Sequence, residues 1–286
     1  MGLFRAAVLQ MNSGVDPAQN ADRLEHLVRE AHGQGAIYIQ SPEMTGAVQK
    51  DRAGLRAVLR DEASDLIVAR AAALAAELGA YIHIGSTAIA LPDGKIANRG
   101  FLFGPDGSIL CRYDKIHMFD VDLDQGESWR ESSVYRPGES ARVASLPFAE
   151  LGFSICYDVR FPQLFRAEAL AGAEVLTVPA AFTRQTGQAH WEILLRARAI
   201  ENGAFVLAAA QAGVHEDGRE TFGHSMIIDP WGTVLATAGL TGEAVLVADI
   251  DTALVAAARN KIPNLKNARD FSVEHGVPSA TGGVAA

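Results

Sequence analysis

Short apolar segments alternate with longer segments of helical periodicity along most of this 286-residue chain. Residues 4–11 and 36–41 are short, largely apolar runs, and between them residues 19–33 carry apolar side chains at the spacing of one helix face. Several of the short runs are apolar throughout, which is typical of sheets that are covered on both faces. The alternation therefore predicts an α/β fold with sheets in the middle and helices outside.

The same alternation continues after residue 41 and divides the rest of the chain into elements. The Ala-rich segment 63–79 ends in Gly79 and is predicted as a helix with a glycine cap. Residues 119–140 are polar and are predicted as a long loop, and such loops usually serve a function or are disordered. The other predicted elements are strands at 81–90 and within 99–115, a strand ending at Cys156, a helix near 162–172, a strand at 174–180, a helix near 188–203, a strand at 204–211, a hairpin at 224–239, a strand at 243–251 and a helix at 252–261.

No linker, composition break or internal repeat divides the chain. We therefore predict one domain over residues 1–270, followed by a C-terminal tail at 271–286. The final residues, VPSATGGVAA, are small and Gly-rich, and we expect them to be loose.

Composition and charge narrow the class of partner. The formal net charge is −9 and no basic run occurs, which argues against nucleic acid or an anionic membrane as the main partner. No stretch of about 18 apolar residues is present to span a bilayer, and the N-terminal segment lacks the pattern of a signal peptide. Only two cysteines are present, so no disulfide framework is expected and we predict a reducing, cytoplasmic setting.

Cys156 is the first candidate for chemistry, because it ends the apolar run GFSIC and precedes a predicted helix. A thiol on a strand-to-helix turn is exposed at the sheet edge, near helix N-terminal N–H groups that favour the thiolate. A buried core cysteine is the other interpretation, and this context fits both. Cys111 lies within a predicted strand with no turn after it, and we predict that it packs in the core.

A thiol nucleophile needs a base, because little of it is ionised at neutral pH. None of the eight histidines lies in the context of a Cys/His protease. His83 is predicted to lie in the core, while His117 and His224 are candidates for groups that support a site. Glu43, in QSPEMTG, and Lys115, in RYDKIHMFD, each follow a predicted strand. Taken alone, each of these two is better explained as a solvated surface residue.

The segments QSPEMTG, RYDKIHMFD and GFSICYDVRFP together resemble the nitrilase superfamily of carbon–nitrogen hydrolases. That family places Glu, Lys and Cys after separate strands in this chain order, and the resemblance extends to AHWEILLRARAIENGAFVLAAAQ and GHSMIIDPWGTVLA. It implies a four-layer α-β-β-α sandwich and a homodimer or larger homo-oligomer. It also implies that Cys156 is the nucleophile, Glu43 the general base and Lys115 an electrostatic stabiliser.

The resemblance further points to a second glutamate in the loop after the lysine segment. WRESSVYRPGE places it at Glu131, because family members carry Glu-Ser shortly before Pro-Gly. Glu127 and Glu139 fit that pattern less well.

The implied reaction is hydrolysis of an amide through a cysteine acyl-enzyme, with release of ammonia. Attack on the carbonyl creates an oxyanion, which the Lys115 ammonium and the backbone N–H of Tyr157 are suited to hold. Water then attacks the acyl-enzyme with Glu43 or Glu131 as base. No metal or other cofactor is expected, since the sequence contains no HExxH or paired CxxC pattern.

The residues after the nucleophile, CYDVRFP, resemble the branch that contains omega-amidase and deaminated glutathione amidase, and AAAQAGVHEDGRETFGHSMIIDPWGTVLA favours the latter. Both cleave a terminal or gamma-linked amide of a small α-keto acid. Arg160, four residues after Cys156, is expected to pair with a substrate carboxylate, and an internal pair with Asp158 is the alternative. An omega-amidase acting on α-ketoglutaramate or α-ketosuccinamate, an N-carbamoyl amino acid hydrolase and a catalytically silent binding protein remain open. The tail KIPNLKNARDF departs from the family's usual paired-Arg ending.

Overall fold

Two six-stranded sheets form the centre of the computed structural model, which describes residues 2–123 and 128–276. The strands of the first sheet are, in spatial order, β16 (Ala244–Asp251), β1 (Leu3–Gln10), β2 (Tyr38–Gln40), β3 (Tyr81–Ala90), β4 (Ile96–Phe103) and β5 (Ile109–Asp114). The central strands β1, β2 and β3 are parallel to one another, whereas β16, β4 and β5 run antiparallel to their neighbours.

The second sheet has the same plan. Its strands are, in spatial order, β15 (Val234–Thr237), β14 (Met226–Ile228), β11 (Phe205–Ala208), β10 (Val175–Thr177), β9 (Glu150–Phe153) and β8 (Val143–Ser145). Here β9, β10 and β11 are the parallel strands. Two small antiparallel ribbons lie outside the sheets, β6 (Asp120–Asp122) with β7 (Ser128–Arg130) and β12 (Ala212–Val214) with β13 (Glu220–Phe222).

Helices cover the outer faces of both sheets. The α-helices of the described residues are α1 (Pro17–Gly33), α2 (Arg52–Val58), α3 (Leu66–Leu78), α4 (Pro162–Leu170), α5 (Arg184–Asn202) and α6 (Ala253–Lys261). Alternate side chains of β1 show the order of the layers: Phe4, Ala6 and Val8 pack with the second sheet, whereas Ala7 and Leu9 pack with α1 and α3. Helices α4 and α5 contact β9 and β11 of the second sheet. The predicted α-β-β-α order is therefore confirmed.

Helix ends follow local backbone chemistry. The Asp65 carboxylate accepts the N–H groups of Ile67 and Val68 at the start of α3, and Gly79 ends that helix with a left-handed φ of +62°. The predicted glycine cap is thus present. Thr183 caps the start of α5 in the same manner as Asp65. These residues set where the chain enters α3 and α5 and where it leaves α3.

The carboxyl ends of the parallel strands in the two sheets meet at one edge. Met11, just after β1, forms a parallel bridge with Gln211, just after β11. The Gln211 amide donates to the backbone carbonyl of Glu43, at 3.1 Å, and so joins this edge to the loop that follows β2. Cys156 follows β9 at the same edge. Loops after parallel strands commonly carry functional residues, and this edge is where the predicted site residues lie.

Several segments differ from the sequence prediction. Residues 119–140 are not a plain loop, because β6 pairs with β7 and Glu131–Ser133 form a 3₁₀ helix. Helix α2 and the β12–β13 ribbon were not predicted, since elements this short give too few residues for a periodic signal. Strand β9 ends at Phe153 rather than at Cys156, whose N–H bonds to the Pro179 carbonyl beyond β10.

Part of the predicted tail is described. Residues 271–276 are exposed and form neither helix nor strand. The residues predicted to be loose, 277–286, lie outside the described residues, as does Glu127. Over residues 2–123 and 128–276, no helix combines the length and hydropathy that crossing a membrane requires.

Candidate active site

Lys115 lies at the centre of a buried cluster of polar side chains. Its Nζ is 2.9 Å from Glu43 Oε1 and 3.0 and 2.9 Å from the two carboxylate oxygens of Glu131. The Lys115 side chain is 2% exposed, and those of Glu43 and Glu131 are 6% and 12% exposed. The fold thus brings together three of the residues singled out in the sequence, including the second glutamate, and none of these three is a solvated surface group.

Backbone and amide donors fix both carboxylates. Asn98 Nδ2 donates to Glu43 Oε1 at 2.9 Å and to Glu131 Oε1 at 3.2 Å. The other oxygen of Glu43 accepts the N–H of Ala181 at 2.8 Å, and the other oxygen of Glu131 accepts the N–H of Phe119 at 2.6 Å. Each carboxylate is therefore held at both oxygens, and its orientation is set before any substrate arrives.

Cys156 occupies a strained turn beside this cluster. Its φ is +53°, a left-handed conformation that residues with a side chain rarely adopt. Its N–H donates to Pro179 O at 2.8 Å, and its thiol interacts with the Glu43 carboxylate. The residue begins a 3₁₀ helix, Cys156–Arg160, that leads into α4. The thiol and the Glu43 carboxylate are therefore neighbours in the buried cluster.

The surroundings decide the resting protonation of the thiol. Burial and the negative charge of Glu43 raise the pKa of Cys156 well above its ordinary value, and the opposing charge of Lys115 does not offset them. Helix N–H groups were expected to favour the thiolate, but burial and the charge of Glu43 outweigh the groups that favour it. The resting nucleophile is a neutral thiol that needs a base.

Glu43 and Lys115 are both held in their charged forms. Burial acts to raise the pKa of Glu43, but the Lys115 charge and the hydrogen bonds from Cys156, Lys115 and Asn98 outweigh it, and the net direction is downward. Burial acts to lower the pKa of Lys115, but the carboxylates of Glu131 and Glu43 raise it well above its usual range. The site thus places a neutral thiol beside a charged carboxylate and an ammonium.

Asp158 fixes the turn that carries the nucleophile. This fully buried carboxylate accepts the N–H of Ile155 at 2.9 Å, the N–H of His117 at 3.0 Å and the Tyr113 hydroxyl at 2.7 Å. It also lies 2.6 Å from His117 Nδ1, and the His117 ring stacks on Phe161 at a centroid distance of 3.5 Å. His117, one of the two histidines named as candidates for supporting groups, therefore helps to hold this turn.

Arg160 lies at the rim and does not pair with Asp158. Its guanidinium lies 5.9 Å from the ring centre of Tyr157 and 5.4 Å from that of Phe182, and it is 3.3 Å from His190 Nδ1. The internal ion pair considered from the sequence is thus not formed, because Asp158 is occupied elsewhere. The guanidinium keeps donors that a ligand can use.

Other sequence candidates lie away from the cluster. Glu139 is exposed, and Cys111 packs partly buried against the main core, where burial raises the pKa of its thiol. His83 is buried as predicted, with Nδ1 2.8 Å from the Tyr38 hydroxyl. His224 bonds the carbonyl of Ala238 instead of joining the site.

Sequence reasoning missed Asn98, Ala181 and Asp158. Asn98 gave a weak signal, because it is one of only two polar residues, with Arg99, in the largely apolar strand β4. Ala181 contributes only its backbone N–H, which no residue pattern reveals. Asp158 was noticed solely as a partner for Arg160.

Comparison with known proteins gives the same picture as the geometry. A family model described as carbon-nitrogen hydrolase matches residues 5–260. The chain is 39% identical over 271 residues to a deaminated glutathione amidase of Yersinia enterocolitica, covering 93% of both chains. It is 36% identical over 275 residues to omega-amidase NIT2 of Mus musculus, covering 94% of this chain and 96% of the relative.

Solved structures agree with the fold. The NitFhit protein of C. elegans superposes with a TM-score of 0.87 at 32% identity, over 94% of this chain and 66% of that longer one. A variant of the amidase of Nesterenkonia sp. AN1, whose active-site cysteine carries a Michael adduct of acrylamide, superposes with a TM-score of 0.75 at 26% identity, over 91% of this chain and 98% of that one. The family match, the relatives and the shared fold all cover the segments that hold the Lys115 cluster, and the chain belongs to the carbon-nitrogen hydrolase family.

Proposed function

We propose that this chain is an amidase in which Cys156 is the nucleophile, Glu43 the general base and Lys115 the electrostatic stabiliser. One observation carries the proposal: a buried thiol, kept neutral by burial and by the charge of Glu43, lies beside that carboxylate, which a buried ammonium holds in place. A nucleophile, a base and an orienting group in mutual contact are the arrangement that covalent catalysis requires. The cysteine adduct described for the Nesterenkonia amidase supports the same role for the equivalent residue type.

In the first half of the reaction, Glu43 takes the thiol proton as the sulfur attacks the amide carbon. Proton transfer leaves Glu43 neutral beside Lys115, whose charge then stabilises the developing oxyanion. The backbone N–H of Tyr157, next to the nucleophile in the first turn of the 3₁₀ helix, is the second oxyanion donor that we propose. A donor of this kind is commonly worth about 3–4 kcal/mol of transition-state stabilisation.

In the second half, Glu43 returns the proton to the leaving nitrogen, the C–N bond breaks and an acyl-thioester remains on Cys156. Water then adds to the thioester as a base accepts its proton, and the carboxylic acid and free thiol are released. We assign this second base role to Glu43, because Glu43 contacts the sulfur. Both oxygens of Glu131 are bonded to Lys115, which fits a role in holding the ammonium in place.

We propose a small α-keto acid amide that carries a carboxylate as the substrate, with that carboxylate on Arg160. The Arg160 guanidinium lies over aromatic rings at the rim and has no carboxylate partner among its described contacts. Its N–H donors are therefore available to bind a substrate carboxylate. The named relatives favour deaminated glutathione, with an omega-amidase substrate as the second candidate. The leaving group distinguishes them: a primary amide releases ammonia, as expected from the sequence, whereas a gamma-linked amide releases the attached amine.

Hydrolysis of deaminated glutathione and of α-ketoglutaramate by the purified protein tests this function. We expect turnover of at least one, and Cys156→Ala should lower kcat at least about 10³-fold. Cys111→Ala is the matched control and should retain activity, because that thiol lies in the core away from the cluster. Release of carbon dioxide from an N-carbamoyl amino acid, with both keto-acid amides left intact, would replace the proposal by a carbamoylase.

We also propose a cytoplasmic homodimer or larger homo-oligomer. Large apolar side chains support an assembly surface on α5 and the nearby β14–β15 turn, where Ile193, Ile200 and Trp231 are 71%, 52% and 55% exposed. Sedimentation of the wild type and of Ile193→Asp decides the question, since a monomeric wild type contradicts the proposal.

A further inference from the structure

The rim of the candidate site carries a second guanidinium that the mechanism above does not use. Arg219 precedes β13, and its Cζ lies 4.6 Å from the ring centre of Trp129. The charge of Arg219 acts on the pKa of the Tyr135 hydroxyl, and so do the charges of the Lys115 cluster. Arg219 is therefore near the cluster, but its described hydrogen bonds do not involve either carboxylate.

A continuous row of aromatic rings joins the two rim arginines. From Arg160, the row passes through Tyr157, then Phe119 at a centroid distance of 5.1 Å and Trp129 at a further 6.3 Å, and it ends under Arg219. The backbone N–H of the middle ring residue binds the cluster, so the row borders the reacting atoms. The mouth of the site thus has one cation at each end of an apolar wall.

The guanidinium of Arg219 has unmet hydrogen-bond donors. Its Nη2 donates to Gln49 O at 3.2 Å, whereas its buried Nε has no partner among the described residues. Asp217, two residues before it, accepts the backbone N–H of Arg219 at 2.9 Å, and no described hydrogen bond joins it to the guanidinium. A guanidinium remains charged at any physiological pH, and leaving its donors buried and unpaired is costly. An incoming anion would relieve that cost.

The ribbon that carries Arg219 is anchored on both sides. The buried His215 ring binds Ser13 O at 2.9 Å through Nδ1 and Thr221 Oγ1 at 2.7 Å through Nε2. The N–H of Phe222 donates to Phe182 O at 3.0 Å. The position of Arg219 is therefore set by the fold, as a specificity residue requires.

We propose that Arg219 binds a carboxylate on the amine side of the scissile amide, while Arg160 binds the carboxylate on the acyl side. This inference rests on the proposed function and narrows its substrate class to amides that are anionic at both ends. Deaminated glutathione has that pattern, since its leaving dipeptide ends in a carboxylate. A primary amide such as α-ketoglutaramate does not. Arg219 would then be the residue by which this chain distinguishes the two candidate substrates.

A pair of substrates that differ only at the far end tests the inference. One is deaminated glutathione, and the other is the same molecule with its terminal carboxylate converted to a carboxamide. For the wild type we expect kcat/KM to favour the carboxylate about 10- to 100-fold, as for one charge-assisted hydrogen-bonded pair. Arg219→Gln should bring this ratio close to one, and Arg219→Lys should leave an intermediate ratio because it keeps the charge without the fork.

Arg184→Gln is the matched control, because it removes an exposed arginine that pairs with Glu220 of the same ribbon, and the ratio should not change. A wild-type ratio near one, or a wild-type ratio in Arg219→Gln, overturns the inference. If Arg219→Gln does not fold, a wild-type ratio in Arg219→Lys overturns the inference instead. Turnover of primary amides alone overturns the inference but leaves the amidase proposal standing, whereas absence of turnover on every keto-acid amide overturns both.

Discussion

Two carboxylates share one ammonium in the cluster around Lys115, so neutral donors have to complete the compensation of charge. Asn98 does so for Glu43 and Glu131 at once, from a single amide nitrogen. Its own Oδ1 is buried without a hydrogen-bond partner among the described residues. Asn98 binds both carboxylates although this leaves its own Oδ1 without a partner. Its position therefore serves the site rather than the stability of β4.

Replacement of Asn98 by Ala should therefore lower kcat about 10- to 100-fold, since hydrogen bonds to charged groups are worth roughly 1.5–3 kcal/mol. The carboxylates would remain bound to Lys115 but would lose their fixed separation. Steady-state kinetics, with unfolding followed by circular dichroism, measures the effect. The exposed Asn267→Ala is the control, and a wild-type kcat for Asn98→Ala would contradict this account.

Glu168 is a second buried carboxyl, remote from the chemistry. Burial raises its pKa well above the usual value, and its only described hydrogen bond accepts the Phe153 N–H at 3.1 Å. The folded state keeps this proton at a pH where the unfolded chain has lost it. The contribution of Glu168 to stability should thus fall as pH rises above about 4.5, by up to about 1.4 kcal/mol per unit until the folded pKa is reached. Denaturant unfolding of Glu168→Gln should lack this fall, and the exposed Glu30→Gln should retain it.

At the scale of elements, strand β3 bends at a bulge between Ile84 and Thr87, and the loops that carry the site pack against it. A Cβ added at Gly85 would collide with the Ser41 carbonyl, in the loop before Glu43, and with Pro179, the acceptor for Cys156. Both are backbone or ring atoms with little freedom to move. Because Gly85 has no side chain, the loops of the two sheets can meet beside β3.

Gly85→Ala should destabilise the fold by about 1–3 kcal/mol through overpacking and should displace Glu43 from Cys156. Thermal unfolding and kcat measure the two effects together. Gly33→Ala, where an added Cβ meets no atom within 4 Å, is the control and should lose neither stability nor activity. An active and equally stable Gly85→Ala would show that the loops have more room than this packing allows.

The length of an element decides whether it could be predicted from the sequence. Helices α1, α3 and α5 span 17, 13 and 19 residues, enough for periodicity to be seen. The three-residue strands of the outer ribbons carry no such signal, yet one of these ribbons places Arg219 at the rim. Motif resemblance found Glu43, Lys115, Cys156 and Glu131. Asn98 escaped because its role depends on how β4 lies beside the loop after β2, which is a tertiary relation.

At the scale of the whole molecule, the candidate site belongs to neither sheet alone. Glu43 and Lys115 follow strands of the first sheet, whereas Cys156 follows a strand of the second. The interface between the sheets therefore controls the geometry of the site. His83 lies in that interface, with its ring 5.1 Å from Phe153 of the second sheet and its Nδ1 bonded to Tyr38. Protonation of this ring would place a charge between the two halves of the site.

Acid should accordingly destabilise the whole fold through His83. Burial lowers its pKa from 6.5 to about 3, so below about pH 6.5 the unfolded chain takes up a proton that the folded chain refuses. The contribution of His83 to stability should fall by up to about 1.4 kcal/mol per pH unit, or by about 1.6 kcal/mol between about pH 6.5 and about pH 5, while buried Glu168 contributes a slope of the opposite sign over the same range. Urea unfolding at intervals across that range measures the slope. His83→Gln has its own constant cost, and the difference between its slope and that of the wild type isolates His83, because buried His215 and Glu168 contribute equally in both proteins. Parallel slopes for the variant and the wild type would mean that His83 is solvated in the fold, and that the sheets do not exclude water where the site is assembled.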